Sequence, residues 1–92
     1  MTRPRVYCDF NDRLDRVIYG LRVLGSRADL AKLDPPVAIG MRLTLYDYDG
    51  MDDGTPAWLL AEGVVVQLGS GELAAEVDPD SFRWEPRDES DR

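Results

Sequence analysis

The side chains best suited to chemistry crowd into one short stretch of the chain. Four aspartates fall within seven residues around Gly50, and two tyrosines alternate with the first of them: Tyr46, Asp47, Tyr48, Asp49, Asp52 and Asp53. Carboxylate oxygens are the ligands that Ca²⁺ and Mg²⁺ prefer. An EF-hand loop starting at Asp49 would put Leu60 where a bidentate glutamate belongs. Exposed turns use the same residue types, so the stretch predicts a solvated loop and no metal site.

Catalytic chemistry lacks most of its usual parts in this sequence. The chain has no histidine, which removes the commonest general base and any Ser-His or Cys-His pair. Cys8 is the only cysteine and stands beside Asp9, whose charge would raise a thiol pKa, so we interpret it as a core residue. The segment 69–71 has neither a P-loop lysine nor a helix signal after it. We predict no catalytic residue and no cofactor; an enzyme using carboxylates is the alternative.

Charge is distributed unevenly along the chain. The formal net charge is −7, but residues 1–42 carry a net +3 and residues 43–92 a net −10. The acidic half would repel a polyanion, so the charge does not favour nucleic acid as a partner. The competing basic surface consists of six arginines, which we interpret as balancing the acidic half within one molecule or between two copies: Arg3, Arg5, Arg13, Arg16, Arg22 and Arg27.

Length and composition indicate a single domain. The chain has 92 residues, and 43% hydrophobic with 32% charged residues is a globular composition. A secreted domain of this size would usually need disulfides, which one cysteine cannot form. No segment is apolar for the roughly 20 residues that cross a bilayer, and the first residues do not resemble a signal peptide. The expectation is a cytoplasmic protein with no membrane partner.

The first half of the chain predicts a hairpin followed by a short helix. Strand-like alternation over residues 5–10 and 16–24 is separated by turn residues, which favours a β-hairpin. Ser26 and, three residues later, Asp29 resemble a capping box for a helix over residues 27–33. The prolines after Asp34 end that helix, because proline cannot continue its hydrogen-bond ladder.

The second half predicts four further strands, over residues 41–48, 57–67, 72–78 and 82–85. In the first, Met41, Leu43 and Leu45 share one face while Arg42, Tyr46 and Tyr48 share the other. Residues 57–67 are apolar on both faces, which indicates a central strand, and Gly63 within them suggests a bulge or bend.

These elements predict a mainly β fold: a small curled antiparallel sheet or partly open barrel of about six strands with one short helix. Residues 1–85 form the domain, and residues 86–92 are expected to be a flexible acidic tail. The layout of residues 40–84 is similar to a small SH3-like barrel. In addition, the segment Thr44-Leu-Tyr-Asp-Tyr48 is similar to the ALYDY motif of SH3 domains, which implies tyrosines lining a groove for polyproline helices. The tandem tryptophan and the Pro-x-x-Tyr of that family are missing downstream, so we interpret the tyrosines as exposed residues of a sheet.

Aromatic residues divide between core and surface. Phe10, Tyr19, Trp58, Phe82 and Trp84 are interpreted as core, because a small domain needs large side chains to fill it. Tyr46 and Tyr48, and with them Tyr7, are the candidates for exposed contacts, since tyrosine is enriched at interfaces.

The sequence therefore favours a small acidic, non-catalytic protein-interaction module, with pairing into a homodimer left open. Its predicted binding surface combines the tyrosines with one arginine and the aspartate loop: Arg42, Tyr46, Asp47, Tyr48, Asp49, Asp52 and Asp53. The alternative is an acidic inhibitor or immunity-type protein that occupies a basic groove of a toxin or nucleic-acid enzyme. A nucleic-acid binder using the N-terminal arginines is a third hypothesis.

Overall fold

Residues 3–50 and 53–87 are described by the structure, a computed structural model. In these ranges one short helix accompanies six strands: β1 (Arg5–Tyr7), β2 (Ile18–Gly20), α1 (Leu24–Ala31), β3 (Arg42–Gly50), β4 (Pro56–Gln67), β5 (Leu73–Val77) and β6 (Arg83–Pro86). The strands form one mixed sheet that does not close. The predicted mainly β class, with about six strands and one short helix, is confirmed.

The sheet is organised around β4, which is twelve residues long. One side of β4 pairs antiparallel with β3 along an unbroken register from Arg42 opposite Val64 to Gly50 opposite Pro56. The other side pairs first with β6 and then with β5, both antiparallel. β1 joins the far side of β3, and β2 joins the far side of β5. The prediction of a central strand over residues 57–67 is therefore confirmed.

The predicted hairpin between residues 5–10 and 16–24 is wrong. β1 instead pairs in parallel with β3, with Arg5 opposite Thr44, and β2 pairs with β5. A smaller hairpin remains, in which the Gly20 N–H donates to the Asp12 carbonyl at 3.0 Å. Beside β3, β1 places Val6 in the core, fully buried. Alternation shows that a segment is a strand, but it does not show which strand lies next to it.

Aliphatic side chains on the inner face of the sheet make the core. Fully buried residues of four strands contact one another there: Val6, Leu43, Leu45, Ala61, Val65 and Ala75. Of the bulge or bend predicted at Gly63, the bulge is wrong, because the register passes through Gly63 without interruption. A Cβ at Gly63 would lie 3.0 Å from Leu45 Cδ1 and 3.3 Å from the Glu76 carbonyl oxygen. Glycine is needed there because the neighbouring strands approach so closely.

Helix α1 covers the open edge of β1. The capping box predicted at Ser26 and Asp29 is wrong: the helix begins after Val23, which makes no side-chain capping bond. The Ser26 hydroxyl, fully buried, donates to the Tyr7 carbonyl, and the Asp29 carboxylate accepts the Tyr7 N–H at 2.9 Å. Residues three apart lie on one helical face. The Ser26 and Asp29 side chains together replace the hydrogen bonds that another strand would make with Tyr7. They therefore protect the edge of β1 from pairing with other chains.

Candidate functional site

Four aromatic rings form a continuous patch on the outer face of the sheet, which we call the aromatic face: Tyr7, Tyr46, Tyr48 and Trp58. The register explains it, since Tyr7 lies opposite Tyr46 and Tyr48 lies opposite Trp58, and opposite residues share a face. Ring centroids are 5.6 Å apart for Tyr7 and Tyr46, and 5.0 Å apart for Tyr48 and Trp58. Tyr48 is 58% exposed, so this patch meets the solvent.

A cation and a cavity lie at the aromatic face. The guanidinium carbon of Arg87 is 5.2 Å from the ring centroids of both Tyr48 and Trp58, a cation–π distance. Nearby, a cavity of about 240 Å³ is lined by Arg5, Asp29, Tyr46 and Trp58. The site therefore offers ring faces, one carboxylate and two guanidinium groups within a small area.

Two tyrosine hydroxyls of the aromatic face, those of Tyr7 and Tyr46, have raised pKa values. The Tyr46 hydroxyl donates to Asp29 Oδ2 at 2.7 Å, and burial together with this bond raises the pKa of Tyr46 above its usual value. Burial, with the nearby Asp47 carboxylate, raises the pKa of Tyr7 to about 12. Phenols in this state donate hydrogen bonds and do not act as bases at neutral pH. The arrangement suits recognition by contact and hydrogen bonding.

The predicted binding residues divide between two faces. Tyr46 and Tyr48 belong to the aromatic face, whereas Asp47 and Asp49 alternate with them along β3; the Asp47 carboxylate nevertheless lies near the Tyr7 hydroxyl. Asp47 accepts the Phe10 N–H at 3.2 Å, and Asp49 accepts the Trp84 indole N–H at 2.8 Å.

Asp53 of the loop and the Cys8 thiol have separate surroundings. Asp53 accepts the Thr55 N–H at 2.9 Å, and Asp52 lies outside the described residues. In the ranges that the structure describes, no three His, Cys, Asp or Glu side chains are grouped as a metal site would need. Burial, followed by the charges of nearby aspartates, raises the pKa of the Cys8 thiol to about 12, which agrees with its interpretation as a core residue.

Arg42 lies on the outer face but away from the aromatic face, four residues before Tyr46 and therefore about 13 Å along the strand. It lines a separate groove of about 420 Å³ together with Glu62, Glu76 and Asp78. Glu62 is the most engaged of these carboxylates, since it binds Arg3 at 2.9 Å and Arg83 at 2.7 Å. Burial opposes its charge, but these hydrogen bonds and one from Thr44 outweigh burial and lower the pKa of Glu62.

Two tryptophans interpreted as core belong to the surface. Trp58 is half-buried within the aromatic face, and Trp84 is 55% exposed on the opposite side of the sheet. Phe10, Tyr19 and Phe82 do pack against the core, as predicted. The sequence pattern does not indicate Asp29 or Arg87 as parts of a site. Trp58 joins the site through its register opposite Tyr48, and Arg87 through the pairing of β6 with β4; periodicity shows neither pairing.

The described structure continues two residues into the predicted tail. Pro86 ends β6, and Arg87 donates its N–H to the Pro56 carbonyl at 2.9 Å. Residues 88–92, the rest of the predicted tail, lie outside the described residues.

Comparison of the chain with protein-family models, with curated proteins and with solved structures finds no match. None of the helices in the described part of the chain has the length and apolar character needed to cross a membrane.

Proposed function

We propose that this chain is a non-catalytic protein-interaction module that contacts its partner through the aromatic face. One observation carries the proposal: four tyrosine and tryptophan rings are contiguous on the outer face of a sheet, and one of them, Tyr48, is 58% exposed. Tyrosine and tryptophan are enriched among the energetically dominant contacts at protein interfaces. The Tyr46 hydroxyl, which Asp29 holds in place, and the cavity beside it would orient a bound partner.

The chemistry of the site supports a protein as the partner. Rings, a carboxylate and guanidinium groups suit a mixed apolar and polar surface, while the acidic excess of residues 43–92 disfavours nucleic acid. The proposal places the protein in the cytoplasm, because a lone free cysteine suits a reducing compartment. It includes pairing of two copies as one form of interaction.

The acidic-inhibitor hypothesis is the second candidate, and one observation favours it. Glu72, Glu76, Asp78 and Asp80 are exposed along and beside β5, where they could imitate a polyanion for a basic groove. Against it, Glu62 is already bonded to two arginines of the same chain. Salt separates the hypotheses, since exposed charge pairs are screened and ring contacts are not.

The test compares what the tagged chain retains from its own cells with what two variants retain. Tyr48→Ala removes an exposed ring of the aromatic face and should weaken retention of the specific partner by about 30-fold, the effect of losing a dominant contact of about 2 kcal/mol. Ile39→Ala is the matched control, because Ile39 is 62% exposed but outside the aromatic face.

A partner that Tyr48→Ala retains as well as the unaltered chain does would refute the aromatic face as the contact. Retention that survives Tyr48→Ala and disappears between about 50 and 200 mM salt would favour the inhibitor hypothesis. Retention lost in Tyr48→Ala alone and stable to salt would support the interaction module.

A further inference from the structure

The outer edge of β6 carries hydrogen-bonding groups that no other described strand uses. β6 pairs with β4 alone. In an antiparallel pair, alternate residues direct both backbone groups toward the neighbour. The Arg87 N–H donates to the Pro56 carbonyl. Because alternate residues share this direction, the N–H and carbonyl groups of Arg83 and Glu85 also point toward β4. The N–H and carbonyl of Trp84 consequently point away from the sheet.

This edge differs from the edges at β1 and β2. Helix α1 satisfies the Tyr7 backbone groups of β1, and the small hairpin that includes the Arg13–Tyr19 bridge lies beside β2. All four residues of β6 are exposed, and Trp84 is one of the most exposed large apolar residues described. An open edge of this kind is a template for another strand.

We propose that β6 pairs antiparallel with β6 of a second copy of the chain. The two-fold axis that relates the copies passes between the two Trp84 residues. In this register the two Trp84 residues exchange N–H···O bonds, and Arg83 lies opposite Glu85 of the second copy. Both such pairs place opposite charges together on the outer face, which stabilises antiparallel strands. The two sheets would become one continuous sheet, with both Trp84 rings side by side on its other face.

The sequence of β6 argues for a second copy as the occupant. The triplet Arg83-Trp84-Glu85 is complementary to itself only when it runs antiparallel and is centred on the tryptophan. In a parallel pairing Arg83 would face Arg83 of the second copy, an unfavourable like-charge contact. The intramolecular bonds of Arg83 to Glu62 and of Glu85 to Arg5 can extend into a network across the junction, because all four groups share the outer face.

Charge reversal tests the pairing by sedimentation equilibrium. The edge is short and would bury less than a standard interface, so the protein is measured at low salt up to about 1 mM. The unaltered chain should dimerise as its concentration rises. Arg83→Glu alone, and Glu85→Arg alone, place like charges opposite each other at two symmetric positions and should weaken dimerisation by about tenfold or more.

Mixing the two single variants restores the complementarity. The glutamate introduced by Arg83→Glu then lies opposite the arginine introduced by Glu85→Arg, and the two unaltered side chains at these positions also form an opposite-charge pair. A mixed dimer should therefore form although neither variant pairs with itself. The double variant Arg83→Glu with Glu85→Arg should regain self-pairing while still lacking both intramolecular bridges. Circular dichroism of each variant confirms that the sheet has formed.

The inference is independent of the aromatic face. Tyr48→Ala should leave dimerisation unchanged, so a failure of the pairing and a failure of the proposed function give different results. A chain that stays monomeric up to about 1 mM would overturn the inference. Dimers that are indifferent to both single reversals, or a mixture that forms no mixed dimer, would overturn it as well.

Discussion

The two ends of the sheet share β4 but differ in what surrounds them. The core end is the part of the sheet that contains β1, β2 and β5 and packs against α1. There, Leu43 and Leu45 are completely buried. In the arm, which consists of residues 47–50, 53–60 and 83–87, Tyr48 and Trp84 are 58% and 55% exposed. The arm is rich in large rings, and two of them stay exposed although Ala57 and Leu60 in the same arm are buried. Hydrophobic character alone therefore does not decide burial here.

The largest effect should come from the core end. Leu45→Ala removes a fully buried side chain that packs against Gly63 and should lower the free energy of unfolding by about 3 kcal/mol. Trp84→Ala in the arm, although it deletes a larger side chain, should cost less than Leu45→Ala because Trp84 is already 55% exposed to water. Urea unfolding of both variants measures the difference. Equal losses would contradict the distinction between the two ends.

Removing the cover of β1 should have the next largest effect. Asp29→Ala leaves the Tyr7 N–H and the Tyr46 hydroxyl without their acceptor, and unpaired groups of this kind cost about 1–3 kcal/mol. Arg27→Ala, an exposed position on the same helix, is the control and should change little. Amide hydrogen exchange at Tyr7 should accelerate in Asp29→Ala alone. Unchanged exchange there would show that the helix does not protect the edge.

The charged groove beyond the arm predicts a pH-dependent effect. The pKa of Glu62 is lowered from its ordinary 4.5, so its ionised form stabilises the fold above that pH and the contribution disappears as the pH falls through the folded-state value. Glu62→Gln should therefore cost about 1 kcal/mol at pH 7. The gap between variant and unaltered chain should close as the pH falls below that ordinary value, measured by urea unfolding at each pH. A constant gap would exclude the carboxylate as its source.

The smallest effect should come from the cation at the aromatic face. Arg87→Ala should change stability by no more than about 0.5 kcal/mol, the size of an exposed cation–π contact. It should nevertheless increase quenching of tryptophan fluorescence by acrylamide, because Arg87 shields Trp58. Arg16→Ala, an exposed arginine elsewhere, should leave quenching unchanged. Equal quenching in both variants would mean that Arg87 does not cover the ring.

The positions of the main strands could be predicted from periodicity, but the neighbours with which the strands pair could not. The alternation around Leu43 and the doubly apolar run around Val65 place β3 and β4 correctly. The parallel neighbour of β3 could not be derived, because β1 is only three residues long and pairs with a strand far along the chain, Arg5 lying opposite Thr44. The three-residue spacing of Ser26 and Asp29 is clear in the sequence. The same spacing, however, fits both a helix cap and two side chains that bond the edge of a neighbouring strand.

The candidate site was predicted in part. Tyr46 and Tyr48 were expected on an exposed strand face; they share one face of β3, on which Tyr48 is exposed and Tyr46 is half-buried. Asp47 and Asp49 could have been separated from them, since adjacent strand residues face opposite sides. Trp58 joins the site only through its register opposite Tyr48, and a tryptophan in an apolar run is indistinguishable from a core residue before the pairing is known.

One oxygen atom, Asp29 Oδ2, accepts hydrogen bonds from two different parts of the molecule. It accepts the Tyr7 N–H, which secures the helix to the sheet, and the Tyr46 hydroxyl, which belongs to the aromatic face. A ligand that draws the Tyr46 hydroxyl away changes the negative charge left for the Tyr7 N–H. If a partner binds the aromatic face in this way, its binding and the docking of α1 would be thermodynamically linked, equally in both directions.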